Sequence, residues 1–361
     1  MIIDDVIKSA KRIHFIGIGG SGMCPLAEIL HDKGYYLTGS DNNETDTLKR
    51  IRNLGIPVVL GQKAENVDGA DMVVYTAALL PDNPELVAAK EKGIPTFERS
   101  KLFGYFTRRY DNCVGVCGTH GKTTTTAMLS QILIGSGFDP SAIIGGKLPF
   151  IGGNSYVGHS DIIVCEACEY VNTFLQLHPA ISVILNVDAD HLDFFKDLDD
   201  IKNSFNKFSQ QTGKLLVING DDENSRDCTA DINLEKLYYG TTPDNDYYMA
   251  NHTKDGGIKQ SFDLMHKGEV LTRIKLNVPG EHNALNAMAA ITVALYLGAN
   301  PQQVAESIEK FTGVHRRFEV LGEVNGITVA DDFAHHPTEL TAVLNASMEM
   351  GFNKVWAVFQ P

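Results

Sequence analysis

The chain has 361 residues, 43% of them hydrophobic and 21% charged, with a formal net charge of −14 at pH 7. This length exceeds what one hydrophobic core usually organises, so two or three domains are expected. A nucleic-acid-binding protein needs a basic face to neutralise phosphates, so the acidic balance argues against DNA or RNA as a partner. A single nucleotide can still be bound locally by backbone N–H groups and one lysine.

The sequence shows neither a secretory signal nor a membrane span. It opens with an acidic segment, Met-Ile-Ile-Asp-Asp-Val, and its longest strongly apolar stretch, at about 287–299, is too short to cross a bilayer. We therefore predict a cytoplasmic protein with no membrane partner, and the oligomeric state stays open. The cysteines are too sparse for a disulfide framework and are expected to be reduced, with Cys113 and Cys117 in the core. They are Cys24, Cys113, Cys117, Cys165, Cys168 and Cys228.

Strands and helices alternate along residues 1–110, which predicts a parallel sheet and a first domain with these bounds. The predicted strands are 12–18, one ending at 39–41, 58–60, 72–76 and 95–97, with helices at 22–33 and 83–92.

Residues 111–312 are predicted to form a second α/β domain. Turn signals at 255–257 and 266–268 split its later strands and indicate an antiparallel insertion. The predicted strands are 112–117, 162–166, 180–186, 214–219, 236–239 and 274–278, and the predicted helices are 124–136, 198–211 and 283–297.

Residues 313–361 are predicted to form a third, partial domain. It has one strand pair, a helix at about 337–350 and a strand at 355–359. A strand with no loop after it is an unusual end for such a domain, so we expect either a fragment or an abnormally small C-terminal domain.

The first glycine-rich loop, Gly17-x-Gly19-x-x-Gly22, follows a predicted strand and opens a helix, and Asp41 ends the next strand. This is the dinucleotide-fold fingerprint in its usual context: the glycines admit a diphosphate, and the acid commonly holds a ribose. NAD(P) and another nucleotide diphosphate both remain open as ligands, beside a tight turn without a ligand.

The second loop also lies between a strand and a helix, and it matches the second half of a phosphate-binding P-loop. Its glycines leave room for phosphates against backbone N–H groups, Lys122 supplies a positive charge, and the Thr123 hydroxyl can bind Mg²⁺. Two nucleotide loops point to two nucleotide-containing ligands, which weakens the alternative of an NAD-dependent dehydrogenase. The loop comprises Gly118, Thr119, His120, Gly121, Lys122, Thr123 and Thr124.

Six segments together resemble the Mur ligase family, in particular its alanine-adding members. They are His14–Met23, Gly118–Thr124, Asn186–Asp193, Pro279–Asn286, Arg316–Glu319 and Asp331–Glu339. The resemblance implies an α/β fold of three domains: a Rossmann-like N-terminal domain, a P-loop-type central ATPase domain with an antiparallel insertion, and an incomplete Rossmann-like C-terminal domain. It also implies a reaction in which ATP activates the carboxylate of UDP-N-acetylmuramate as an acyl phosphate that L-alanine then attacks.

The resemblance implies a role for each matching residue. Lys122, Glu166, His191 and His335 would be catalytic, with Thr123, Glu166 and His191 around Mg²⁺. His282 and Asn286 would contact the adenine of ATP, and Arg317 its phosphates. The UDP-sugar would lie on Gly17, Gly19, Gly20, Ser21, Gly22 and Asp41.

Three departures from the family pattern keep alternatives open. Cys168 replaces an acid, Phe333 replaces a tyrosine, and the chain stops before a segment where the family places arginines for the substrate carboxylates. The alternatives are a ligase that adds a whole peptide to the same sugar, and a relative that binds both nucleotides without ligating.

Overall fold

The structure is a computed structural model that describes residues 2–360. These residues divide into two compact units. The first extends to Tyr110 and includes Ser155–Val157, and the second comprises Asp111–Asn154 and the residues from Gly158 onward. The predicted domain boundary at 312/313 stays a prediction, because both sides of it belong to the second unit.

The first unit contains a five-stranded parallel sheet. Its strand order, β3-β2-β1-β4-β5, reverses direction at β1, which creates a crevice at the carboxyl end of that strand. The strands are β1 (Arg12–Ile16), β2 (Tyr36–Asp41), β3 (Val58–Leu60), β4 (Met72–Tyr75) and β5 (Thr96–Glu98). The predicted Rossmann-like sheet is therefore confirmed.

The helices of the first unit begin at residues suited to start them. Thr45 accepts a hydrogen bond from the Leu48 N–H, and Asn83 accepts two N–H bonds just before Pro84. The predicted helix at 22–33 begins at Cys24, because residues 18–23 form turns. The helices are α1 (Ile3–Ser9), α2 (Cys24–Asp32), α3 (Asp46–Asn53), α4 (Pro84–Glu91) and α5 (Arg99–Thr107).

The second unit is built on a ten-stranded sheet of order β15-β14-β13-β12-β11-β10-β6-β9-β7-β8. Its parallel part is buried and carries the phosphate loop. Those strands are β6 (Asn112–Cys117), β7 (Ser141–Leu148), β9 (Ile162–Glu166), β10 (Ile181–Ile184), β11 (Leu215–Asn219) and β12 (Glu235–Gly240), and β8 (Gly153–Tyr156) lies at the edge. The sequence prediction missed β7 and β8.

The predicted antiparallel insertion is confirmed. It is formed by β13 (Tyr247–Lys254), β14 (Gln260–His266) and β15 (Glu269–Leu276). The helices of this part are α6 (Lys122–Gly135), α7 (Leu198–Gln210), α8 (Glu223–Asp227), α9 (Glu281–Tyr296) and α10 (Pro301–Ile308). Helices α6 and α9 pack together, and most residues of both helices are buried.

The C-terminal part contains the hairpin of β16 (Glu319–Val324) and β17 (Ile327–Asp331), followed by α11 (Pro337–Glu349). The strand predicted at 355–359 is wrong. Within residues 2–360 this segment pairs with no other strand, and Trp356 is 79% exposed. A strand is stabilised by its neighbours rather than by its own composition, so the apolar pattern alone did not suffice.

Across residues 2–360, every helix is too short or too polar to span a bilayer. All six cysteines are free thiols, and Cys113 and Cys117 are fully buried, as predicted for core residues.

Candidate active site

The phosphate loop connects β6 to α6 through two glycines at positions that disfavour any side chain. Gly118 has φ +144°, and a Cβ there would lie 2.8 Å from the Leu185 Cβ. Gly121 has φ +87° and is the residue just before α6. This left-handed conformation favours glycine, and it turns the chain so that the N–H groups at the start of α6 face the loop. Thr123 and Thr124 lie in the first turn of that helix.

Asn186, just beyond β10, holds the phosphate loop in place by hydrogen bonds from the neighbouring strand. Its side-chain oxygen accepts the His120 N–H at 2.8 Å, its side-chain amide donates to the His120 carbonyl at 3.1 Å, and its backbone carbonyl accepts the Thr119 N–H. The loop shape is therefore set by β10 as well as by its own glycines.

Lys122 folds back over the loop. Its ammonium donates to the carbonyls of Gly118 at 2.6 Å and Thr119 at 3.0 Å, and it forms an ion pair with Glu169 at 2.9 Å. Burial is the largest single influence and disfavours the ammonium, but the opposing influences, led by the charge of Glu169, together outweigh it, so the pKa of Lys122 is raised. A protonated lysine at this position is suited to phosphate binding.

Thr123 and Glu166 form a hydrogen-bonded pair of oxygen donors. The Thr123 hydroxyl lies 3.1 Å from the Glu166 carboxylate, and the other carboxylate oxygen accepts the Gly145 N–H. Burial raises the pKa of Glu166, although the Gly145 hydrogen bond and the charge of Lys122 act in the opposite direction. A half-buried carboxylate beside a hydroxyl fits a hard divalent cation such as Mg²⁺, which would compensate the charge.

His191 lies in the loop after β10 with φ +54°. Its Nε2 is 3.8 Å from the Glu169 carboxylate and 3.9 Å from that of Asp190, and its ring packs on Tyr170 at 4.8 Å between centroids. The structure thus places His191 beside Glu169, while Thr123 pairs with Glu166.

His282 and Asn286 lie on the first turns of α9, and Asn286 directly faces the phosphate loop. A Cβ on Gly121 would overlap the Asn286 side-chain oxygen. Burial lowers the pKa of His282, so its ring is neutral near pH 7. A neutral ring and an amide beside a phosphate loop can stack on a base and read its edge.

Residues of the C-terminal part reach the phosphate loop through Glu339. This carboxylate lies 3.4 Å from His120 Nδ1 and 3.8 Å from an Arg317 nitrogen. Burial alone would raise the pKa of Glu339, but the nearby His120 ring and the charge of Arg317 lower it to about 2. Glu339 is therefore ionised near pH 7. The charge of Arg317 also acts on Glu166, which brings Arg317 into the same electrostatic site.

His335 and His336 have different surroundings. His335 is 60% exposed and lies 3.7 Å from Glu339. The His336 ring contacts the His120 ring in a tilted arrangement, with centroids 4.8 Å apart, and its Nε2 lies 3.2 Å from the Ala189 carbonyl. The next hydroxyl along the helix, on Thr338, donates to Asp188 at 2.9 Å. His120, Asp188 and His336 thus connect the loop to α11.

The first glycine loop is held within its own unit. Gly17 has φ +80° and donates to the Ser40 carbonyl, and the Gly19 N–H donates to the Asp41 carboxylate at 2.9 Å. A Cβ on Gly22 would lie 2.6 Å from an Arg99 nitrogen. Gly20 and Ser21 lie between these points in the same turn. Asp41 therefore shapes this loop, a role that the fingerprint did not predict.

The sequence did not predict a role for Asn186, Glu169 or Glu339, although Asn186 and Glu339 lie in segments that resemble the Mur ligases. Asp188 was left out of the predicted metal ligands, and here it contacts His120 and Thr338. The polar residues that follow β9 and β10 were the available sequence signal for further site residues. This signal does not show which carboxylate side chain points into the site.

Three sequence models of one family match successive parts of the chain. The Mur ligase family catalytic domain matches residues 12–111, the Mur ligase middle domain matches 116–294, and the Mur ligase glutamate ligase domain matches 316–361. The chain belongs to the Mur ligase family. Mur ligases are ATP-dependent, in agreement with a phosphate loop on this fold.

Individual Mur ligases are similar over nearly the whole chain. The UDP-N-acetylmuramate–L-alanine ligase of Agathobacter rectalis is 45% identical over 353 residues, which are 97% of this chain and 77% of that protein. The enzyme of the same name from Clostridium botulinum is 44% identical, covering 100% of this chain and 79% of that protein.

Solved Mur ligase structures share the fold. The UDP-N-acetylmuramate–alanine ligase of Thermotoga maritima superposes with a TM-score of 0.81 at 32% identity, over 94% of this chain and 78% of that one. A second structure is that of a ligase from Neisseria meningitides that joins UDP-N-acetylmuramate to L-alanyl-γ-D-glutamyl-meso-diaminopimelate. It superposes with a TM-score of 0.75 at 28% identity, over 85% of this chain and 100% of that one.

Proposed function

We propose that this chain is an ATP-dependent ligase that joins L-alanine to the carboxylate of UDP-N-acetylmuramate, with release of ADP and phosphate, in the synthesis of peptidoglycan precursors. The observation that carries the proposal is the convergence of Lys122, Thr123 and Glu166 at the carboxyl ends of the adjacent strands β6 and β9. The alanine-adding relatives, at 44% and 45% identity, support the choice of substrates.

The chemistry requires two anions, a carboxylate and the γ-phosphate of ATP, to approach each other. Charge neutralisation therefore contributes more than covalent help. Lys122 would bind the phosphates together with the N–H groups of the loop, and Arg317 would add a second positive charge. Thr123, Glu166 and His191 would hold Mg²⁺, which neutralises phosphate charge when bound.

The other ligands are assigned by the same reasoning. His282 and Asn286 would hold the adenine, because Asn286 adjoins the loop at Gly121 and His282 lies one turn earlier on α9. The first glycine loop would bind the diphosphate of the UDP-sugar. His335 would lie near the reacting carboxylate. The six free thiols support a reducing cytoplasm as the location.

Substrate-dependent phosphate release tests this function. The protein is incubated with ATP and Mg²⁺, adding UDP-N-acetylmuramate and L-alanine singly and together, and the product is identified by mass spectrometry. Release only with both substrates, and a product one alanyl residue heavier than the sugar, is the expected result. Turnover with the tripeptide but not with L-alanine would assign the peptide-adding activity. Binding of both nucleotides without turnover would identify a non-catalytic relative.

A further inference from the structure

Glu169 is a buried carboxylate three residues beyond Glu166, in the segment that follows β9. Its side chain is 2% exposed. A buried charge is costly unless it is paired and hydrogen-bonded, so its partners indicate what it does.

Both close basic partners of Glu169 belong to the site described above. Oε1 accepts a hydrogen bond from the Lys122 ammonium at 2.9 Å and lies 3.8 Å from His191 Nε2. Oε2 is buried and has no hydrogen-bond partner within residues 2–360. The Glu169 carboxylate thus binds Lys122 of the phosphate loop and lies next to His191 of the proposed metal site.

Lys122 has a second carboxylate within electrostatic reach. The charge of Glu166 also favours the protonated form of Lys122, although less strongly than that of Glu169. If Glu169 were absent, Glu166 would be the remaining acidic partner of a buried ammonium. An ammonium bound to Glu166 would occupy the carboxylate that is proposed to bind Mg²⁺.

We propose that Glu169 is a positioning residue that keeps the Lys122 ammonium on the carbonyls of Gly118 and Thr119 and away from Glu166. The inference rests on the proposed function for the roles of Lys122 and Glu166. Glu169 has no described contact with Thr123 or Glu166, and its distance of 3.8 Å to His191 is longer than its 2.9 Å hydrogen bond with Lys122. Its effect on Glu166 therefore acts through the lysine. Glu169 would then pair with the Lys122 ammonium, and Glu166 would stay available for Mg²⁺.

Three variants separate charge from shape. Glu169→Ala removes the partner, Glu169→Gln keeps the shape without the charge, and Glu169→Asp keeps the charge on a shorter side chain. Asp227→Asn is the matched control, because it removes the charge from another lysine pair, Lys202–Asp227 at 3.1 Å, outside the site.

Steady-state kinetics give the first measurement. We expect Glu169→Gln to lower kcat at least tenfold while the KM for UDP-N-acetylmuramate changes less than twofold, because only the ATP half of the site is disturbed. Glu169→Asp should recover at least part of the lost kcat, and Asp227→Asn should retain wild-type values. Equal kcat in the Gln variant and wild type, or failure of the Asp variant to exceed the Gln variant, would overturn the proposal.

A crystal structure of the Glu169→Ala variant without nucleotide is the second measurement. The Lys122 ammonium is expected to leave the two loop carbonyls and hydrogen-bond to Glu166, and an unmoved ammonium would refute the positioning role. If the alanine variant does not fold, the structure of the Gln variant is judged by the shift of the ammonium towards Glu166. This measurement stays valid if the wild-type protein shows no ligation, so failure of the proposed function is distinguished from failure of this inference.

Discussion

Replacement of Gly121 by alanine tests whether the phosphate loop and the proposed adenine site share one packed contact. Gly121 has φ +87°, and a Cβ there would overlap the Asn286 side-chain oxygen. Gly137, just past the other end of α6, has φ +82° with nothing within 4 Å of the position of a Cβ. The two glycines therefore have similar positive φ values, which an alanine would adopt only at a cost, and only at Gly121 would the added Cβ also meet Asn286.

The magnitudes follow from this pairing. Alanine in a left-handed conformation costs about 1 kcal/mol at either position. At Gly121 the Asn286 side chain must also leave its rotamer, which adds about 1 kcal/mol. We expect Gly137→Ala to lower the free energy of unfolding by about 1 kcal/mol and Gly121→Ala by about 2 kcal/mol. Displacement of Asn286 should also weaken ATP binding about tenfold, equivalent to about 1.4 kcal/mol.

Chemical denaturation measures the stabilities, and isothermal titration calorimetry measures the affinities for ATP and for the UDP-sugar. Gly137→Ala should bind ATP as the wild type does, and both variants should retain UDP-sugar affinity. If Gly121→Ala binds ATP normally, or if both variants weaken ATP equally, the proposed contact of Asn286 with the nucleotide is wrong.

Three further predictions concern charge, packing and pH. Lys122→Ala should abolish ATP turnover and leave UDP-sugar binding nearly unchanged in calorimetry, and equal loss of both affinities would contradict two separate nucleotide sites. Phe174→Ala, at a fully buried ring, should cost about 3–5 kcal/mol in denaturation, whereas Phe150→Ala, at a 49% exposed ring, should cost less than about 1 kcal/mol. The lowered pKa of Glu339, about 2 against an ordinary 4.5, stabilises the fold above pH 4.5, and this contribution is lost as the pH falls towards 2. Glu339→Gln should therefore reduce the loss of unfolding free energy between pH 4.5 and pH 2, by roughly 3 kcal/mol at most. If the variant loses as much stability as the wild type over this range in acid titrations, the proposed pairing of Glu339 is wrong.

The backbone elements that carry the site could be predicted from sequence because local patterns specify them. The strand predicted at 162–166 is β9 with the same bounds, and the strand at 112–117 is β6. Each is a short apolar run that ends in a functional segment, which is the pattern of a buried parallel strand. The carboxyl ends of neighbouring parallel strands must meet at one edge, so the nearness of Glu166 to the phosphate loop followed from topology.

Side-chain partners could not be predicted in the same way. Glu166, Glu169 and Asp190 are all acids beside a strand or loop, and no local pattern shows which of them pairs with Lys122. The structure pairs Glu166 with Thr123 and Glu169 with Lys122. Glu339 lies more than two hundred residues from His120 in the chain, so its contact depends on tertiary packing that no local pattern encodes. The same limitation explains the wrong strand at 355–359, since pairing decides whether an apolar segment forms a strand.

Part of the site is positioned by backbone pairing between strands and part by side-chain contacts, and the two parts should respond differently to substitution. The positions of the loop, Glu166 and Asn186 are set by three adjacent strands, β9, β6 and β10, through backbone pairing. Conservative changes at those side chains should alter chemistry while the loop keeps its place. The contacts of His120 with Asp188, Glu339 and His336 instead depend on side chains alone. Charge changes there should alter how residues 313–360 meet the loop, and with it the placement of Arg317, while the loop itself remains formed.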